Sequence, residues 1–295
     1  MEHLKSILCA VDLSDCSRCA LAQASRIAKR DGAALTVLHV IEPRVVEDLE
    51  EMMPEGSDVR KGVLDGARNQ LEKFVNGTVP PGAKLDVVAG EPLDTILAKA
   101  KEAAAQLIVI GAFGVTGAGR GAGSLALKMA RKSPISVLLV DGRHASDFRS
   151  AMVGIDFSEQ SGRALFAALH LARLEGCPLH AVHVFAPPPL HYQAPTPQAS
   201  PTYQKQFQAA LKQRLEAMVA EERKKVDGVD VTCVLYEHTS HGQGIIDYAT
   251  EKEIDVVVLG TLGRSNLRTI FLGSTAERVV RETPCSVLAV PPKPE

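Results

Sequence analysis

The sequence has no tryptophan, and aromatic residues make up only 4% of it. Little material is therefore present for stacking nucleobases along a single strand, a task that needs exposed aromatic platforms. Charge of one sign is also lacking, since 33 basic against 35 acidic side chains leave a net charge of −2. Without a basic field, nucleic acid and anionic membrane surfaces are not predicted partners. No apolar run approaches the ~18 residues of a membrane span. The opening MEHLKSILCAVD lacks the long apolar stretch of a secretory leader, so a cytoplasmic location is expected. Six cysteines (Cys9, Cys16, Cys19, Cys177, Cys233 and Cys285) are scattered along the chain. They make no disulfide framework, which fits a reducing compartment.

What the chain does have is one unit written twice. KSILCAVDLSD (5–15) is echoed by RSAMVGIDFSE (149–159), and LTVLHVIEP (35–43) by LHAVHVFAP (179–187). Asp12 and Asp156, His39 and His183, and Pro43 and Pro187 all pair at an offset of 144. AQLIVIGAFG (105–114) answers IDVVVLGTLG (254–263), and SPISVLLV (133–140) answers TPCSVLAV (283–290). A chain of 295 residues has room for about two domains. The repeat predicts them as 1–145 and 146–295, joined through the polar stretch around Gly142 to Phe148. Each unit alternates short β-branched runs with amphipathic or alanine-rich stretches. Strands are expected at 6–11, 34–41, 84–89, 107–111 and 135–140, then at 150–155, 178–185, 230–236, 255–260 and 285–290. Helices are expected near 16–30, 59–76, 92–104 and 123–132, and a charged helix over 203–226. Runs such as DVVVLG are apolar on both strand faces, as in a parallel sheet covered by helices. The fold class is α/β: two tandem doubly wound domains, each a five-stranded parallel sheet flanked by helices. Such sheets bind ligands beyond the carboxyl ends of their strands, where the winding reverses.

The loops at that edge are the candidates for chemistry. In the second unit GTLGRSNLRTIFLGST (260–275) follows the fourth strand. Gly260 and Gly263 permit a sharp turn and close backbone approach. Gly273, Ser274 and Thr275 open the helix TAERVVRE, with Ser274 suited to the N-cap. Free N–H groups and hydroxyls there suit a di- or triphosphate, and Arg264 and Arg268 carry neutralising charge. The same residues equally describe a long connector with an ordinary cap. Asp156 closes the first strand, placed either to accept bonds from a ribose or base, or to cap the following helix.

The spacing GxxG, nine residues, then G[ST], after a strand, with an aspartate closing strand one and an LHV-type strand two, resembles the universal stress protein family. The likeness covers nearly the whole chain twice, as in tandem-domain members. It implies a stress-response protein that binds ATP, with Mg2+ as the accompanying ion. Carried onto this sequence, Gly260, Gly263, Gly273, Ser274 and Thr275 would hold ribose and phosphates. Asp156 and the backbone around Val184 would hold the adenine, with Gly154, Ile155 and Leu259 lining its pocket. The first unit has a degenerate copy, in which Gly111 and Gly114 are followed after only eight residues by Gly123 and Ser124. Asp12 and Val40 are retained there, and a weaker site is expected. Extra glycines at 117, 119 and 121 raise the ordering entropy that binding must overcome. The resemblance also implies pairing through the last strand, here between the two units of one chain, and a homodimer. A nucleotide-dependent regulator with an as yet unnamed protein partner is the leading expectation. No general base or metal-bound nucleophile is evident near the loop, so no catalytic residue, no metal site and no efficient enzyme are predicted. A slow ATPase or nucleotide-dependent transferase, and a nucleotide-independent scaffold, are the alternatives.

Three side features complete the reading. Cys16 and Cys19 form a CxxC at the start of a helix, a pattern with redox or metal uses, but the second unit has Gln160 and Arg163 there. His238 and His241 are expected in a solvated loop, and His39 and His183 as buried, hydrogen-bonded strand residues. APPPLHYQAPTPQASP (186–201) reads as a polyproline-leaning loop, with the acidic EDLEEMMPEG (47–56) as its counterpart in the first unit.

Overall fold

A computed structural model describes residues 3–53, 58–113, 122–143, 146–186, 201–263 and 272–293. The chain divides into two compact units, the join falling between Asp147 and Phe148. Unit one runs β1 (Ser6–Val11), α1 (Asp15–Asp31), β2 (Ala34–Ile41), α2 (Pro43–Met52), α3 (Val59–Val75), β3 (Lys84–Ala89), α4 (Pro92–Glu102), β4 (Leu107–Gly111), α5 (Ser124–Lys132) and β5 (Ser136–Val140). Unit two runs β6 (Ala151–Gly154), α6 (Glu159–Glu175), β7 (Leu179–Phe185), α7 (Pro201–Arg223), β8 (Val231–Glu237), α8 (His241–Glu251), β9 (Val256–Gly260), α9 (Ser274–Glu282) and β10 (Ser286–Val290).

Within unit one the strand order is β3-β2-β1-β4-β5, and within unit two β8-β7-β6-β9-β10. Every pairing inside a unit is parallel, with Cys9 opposite both Val37 and Val109, and Met152 opposite both His180 and Val257. The winding therefore reverses beside β1 and beside β6, where a crevice opens between the strand ends. Helices cover both faces. In unit two α6 packs on β6, β9 and β10 and touches α7, while α8 packs on β7 and β8 and touches α9. The central strands are sealed from water. Val256, Val257 and Val258 are fully buried, as are Met152 and Val153, each such side chain contributing about 1.5–3 kcal/mol relative to exposure.

The repeat extends to the helix ends. Ser14 caps α1 by accepting the Ser17 N–H at 3.1 Å, and Ser158 caps α6 by accepting the Ser161 N–H at 3.2 Å. Both helices stop at a left-handed glycine, Gly32 (φ 64°) and Gly176 (φ 67°), where a side chain would be strained. One expectation fails in unit one. The acidic stretch assigned to a loop belongs in large part to helix α2, which starts with Pro43 in its first turn and buries Val46. Proline at that position costs no hydrogen bond, and Glu, Leu and Met are good helix formers. The proline-rich segment 187–200 lies outside the described residues. Among those described, no helix is long and apolar enough to cross a membrane.

Candidate functional site

The strand-one turn is built alike in both units and shows what its aspartate does. Asp156 Oδ1 accepts the Ser158 N–H at 2.9 Å and also the Ser158 hydroxyl. Asp12 does the same for Ser14, taking its N–H at 3.1 Å. The serine is thus the helix cap, and the aspartate braces it one step earlier. Between them stands a residue of positive φ, Phe157 at 63° and Leu13 at 65°, an uncommon conformation for a non-glycine. With Oδ1 occupied in this way, Oδ2 of Asp156 faces Gly263: a Cβ on that glycine would lie 3.4 Å from it. Aspartate and glycine loop are therefore neighbours across the strand ends.

The loop is tied down at its base. Thr261 N–H donates to Val290 O at 2.9 Å, and Gly273 N–H donates to Thr261 O at 2.8 Å. Gly260 lies against Gln160, where a Cβ would come within 3.2 Å of the Gln160 Cβ. Helix α9 starts at Ser274 with Gly273 as its N-cap, and no side chain caps it. This corrects the assignment of Ser274 as the cap. A glycine cap offers no oxygen, so the first-turn N–H groups keep their partial positive charge toward the cavity.

These pieces enclose one cavity of about 330 Å³, within the usual range for a small-molecule site. Ten of the eleven second-unit candidates line it: Gly154, Ile155, Asp156, Val184, Leu259, Gly260, Gly263, Gly273, Ser274 and Thr275. Arg264 lies outside the described residues, as does Arg268. The cavity also takes in Ser161, Val182, His183, His241, Ile245, Leu262 and Ala276, which the sequence reading did not assign to it. Val182, Val184, Ile245 and Leu259 belong to the buried cluster beneath α8 and make an apolar wall. Gly154 makes room for that wall, because a Cβ there would stand 2.7 Å from Leu259 Cδ2 and 3.1 Å from Ile245 Cδ1.

Two histidines take part. His183 is buried and donates Nδ1–H to Ile155 O at 2.7 Å, which fixes its ring at the end of β6. That ring packs on Phe157 at 4.4 Å, and the Arg214 guanidinium of α7 lies over the Phe157 ring, 4.3 Å from its centre. His39 makes the matching bond to Val11 O at 2.8 Å in unit one. His241 does not sit in a loop, as expected, but is the first residue of α8, one helical turn from Ile245. Ser240 caps α8 and accepts a bond from Arg278 of α9 at 3.1 Å, which ties the start of α8 to the middle of α9. His238 accepts the Ser240 N–H at 2.9 Å and faces Asp247, a structural role. Among the described residues no group of three or more His, Cys, Asp or Glu side chains is arranged to hold a metal ion.

In unit one the described candidates lie along the corresponding edge. Asp12 follows β1, Val40 is in β2, Gly111 ends β4, and Gly123 and Ser124 begin α5, whose cap is again a glycine without a side-chain bond. Gly123 N–H donates to Ala112 O at 2.7 Å, and Ala112 N–H to Val140 O at 2.8 Å. Gly114 lies outside the described residues.

A parallel sheet with a crevice at its reversal point hosts many activities, so geometry alone names a site and not a lineage. The sequence model of the universal stress protein family matches residues 3–141 and again 147–291. The chain belongs to that family. Over 300 aligned residues it is 28% identical to a universal stress protein of Mycolicibacterium smegmatis, with 97% of each chain covered. A single repeat matches the universal stress protein in QAH/OAS sulfhydrylase 3'region of Thermus aquaticus. There the identity is 31% over 145 residues, 48% of this chain and 98% of that one. The crystal structure of a universal stress protein from Archaeoglobus fulgidus superposes with a TM-score of 0.61 at 23% identity, covering 96% of this chain and 94% of that one. These proteins share its α/β fold, and this chain is a tandem universal stress protein with the stress-response role of its family.

Proposed function

We propose that unit two binds ATP and that the protein acts as a nucleotide-dependent regulator. The observation that carries this reading is the composition of one cavity, in which an apolar wall, a single carboxylate and an uncapped helix start meet. Val182, Val184, Ile245 and Leu259 suit a flat base. Asp156 is placed to accept hydroxyl or amino hydrogens, with its geometry held by Ser158. The N–H groups of Ser274, Thr275 and Ala276, with the Ser274 and Thr275 hydroxyls, suit phosphate oxygens. Gly263, lacking a side chain beside Asp156, lets a sugar pass between strand end and loop. Mg2+ would ride on the phosphates, which fits a site whose described lining holds one carboxylate.

Regulation, rather than rapid turnover, is favoured by the same inventory. Both histidines at the site have structural settings, His183 through Ile155 O and His241 at a helix start. Binding would then act through the surface that the strand ends present to a protein partner or a second copy of the chain.

The deciding experiment is mass spectrometry of small molecules released from freshly purified, denatured protein, with a thermal melt in ATP and Mg2+. Co-purifying adenine nucleotide and a rise in melting temperature that saturates with ATP are expected. Absence of both would overturn the reading. ADP accumulating in step with added protein, and abolished in Asp156→Ala, would instead establish the slow ATPase.

A further inference from the structure

The feature this function leaves unused is the thiol pair of unit one. Cys16 and Cys19 stand in the first turns of α1, behind the Ser14 cap. Residues three apart on an α-helix have Cα atoms about 5 Å apart, inside the range a disulfide spans. Both sulfurs face the same segment. Cys16 Sγ–H donates to Val140 O at 3.3 Å, and Cys19 Sγ–H donates to Gly142 O at 3.1 Å. The backbone N–H groups of Ala112 and Phe113 also face the Cys16 sulfur. Above the pair lies Gly142, an exposed residue on which even a Cβ would approach Cys16 Sγ only to 3.8 Å. Both thiols are half-buried, whereas Cys9, Cys177 and Cys285 are buried and Cys233 has no cysteine near it in sequence.

We propose that Cys16 and Cys19 are a redox site, a dithiol that closes to an internal disulfide by exchange with a small disulfide of the glutathione type. One thiol loses its proton and attacks a sulfur of the small disulfide, breaking that S–S bond and releasing one small thiol. The second protein thiol, losing its own proton, then attacks the mixed disulfide and releases the other small thiol. Two electrons and two protons leave the protein pair, and one disulfide becomes two thiols. Closure removes both S–H donors, so the Val140 and Gly142 carbonyls lose their partners.

The surroundings make this a slow, stoichiometric site. Burial, with the charge of Asp141 adding to it, pushes both thiols up from the usual cysteine range. The attacking thiolate is scarce, and in the reverse reaction each sulfur is a poor leaving group. The disulfide therefore forms slowly and persists. Unit two supplies an internal contrast, since Gln160 and Arg163 occupy the matching positions and cannot cross-link.

Trypsin cleaves after Arg18, between the two cysteines, which makes the test direct. The intact protein is incubated with oxidised glutathione, quenched in acid, alkylated, digested and measured by mass spectrometry. The expected product is peptide 6–18 joined to peptide 19–26 through Cys16 and Cys19, separated again by dithiothreitol. In Cys19→Ser, Cys16 is expected to retain a glutathione adduct instead. Glutathionylation of Cys233 reports that the reagent reached the protein. If Cys233 is modified while Cys16 and Cys19 are recovered separately alkylated, or each carries its own adduct, the proposal is overturned.

Discussion

At the end of its first strand, unit one carries Ala10 where unit two carries Gly154. The helix facing that strand end begins with Pro92 in unit one and His241 in unit two. Against the last residue of the fourth strand lies Cys16 in unit one and Gln160 in unit two, at Gly111 and Gly260 respectively. Yet the backbone bonds around these positions are the same, from the serine-capped first helix to the glycine-capped last one. Sheet topology, chain path and the aspartate and histidine of the strand ends have thus been kept twice, while these three positions differ.

The largest expected effect comes from the shared aspartates. Asp156→Ala removes a charged acceptor and should weaken ATP binding by roughly tenfold to a hundredfold, measured by titration calorimetry with Mg2+ present. Asp12→Ala should leave that transition where it is. Equal losses from the two substitutions would erase the distinction between the units. A smaller effect is expected at the strand ends. Gly154→Ala forces the buried tips of Leu259 and Ile245 to shift, and should both lower the melting temperature, through an overpacking cost of about 1–3 kcal/mol, and weaken ATP binding by about fivefold. The reciprocal Ala10→Gly should lower the stability of unit one by about 0.5–1 kcal/mol, and a stabilised unit one would count against the comparison.

The smallest effect concerns acid stability. His180 of β7 bonds to the Tyr248 hydroxyl at 2.6 Å, and burial, followed by the charge of Lys252, lowers its pKa below 6.5. The unfolded chain then binds more protons than the folded one as pH falls through about 6.5, so unit two loses stability on the acid side. Unit one has Thr36 at the matching position. His180→Thr should flatten the dependence of unit two's stability on pH between 7 and 5, read as amide exchange resolved by unit. An unchanged slope would assign the acid sensitivity elsewhere.

Most of the architecture was legible because the repeat supplies each element twice. Strands in DVVVLG and LIVIG are apolar without interruption, and their bounds fall within a residue or so of those expected. Helix α2 was missed because a run of acids and methionines looks like a solvated connector. Its helical identity depends on Val46 turning inward and on Pro43 sitting where a helix tolerates it. At the site, glycines and the aspartate could be located from spacing, since a motif fixes backbone position. His241 and Ile245 could not, because they reach the cavity from a helix that joins it only in three dimensions. His183 was placed correctly as a bonded strand residue, but its second role, as a cavity wall, leaves no mark in the sequence.

The paired bonds at the base of the glycine loop have a consequence of their own. In each unit a single residue, Ala112 or Thr261, both receives the start of the last helix and rests on the last strand. Entry and exit of the intervening segment are thereby pinned at one rung, whatever its length. Gaining or losing a residue in it costs only a few tenths of a kcal/mol in closure entropy and leaves the sheet undisturbed. The rung works as a socket into which different loops can be plugged. Ten residues (113–122) in one unit and eleven (262–272) in the other are two cartridges for the same mount, and a duplicated gene can exchange one without rebuilding the frame around it.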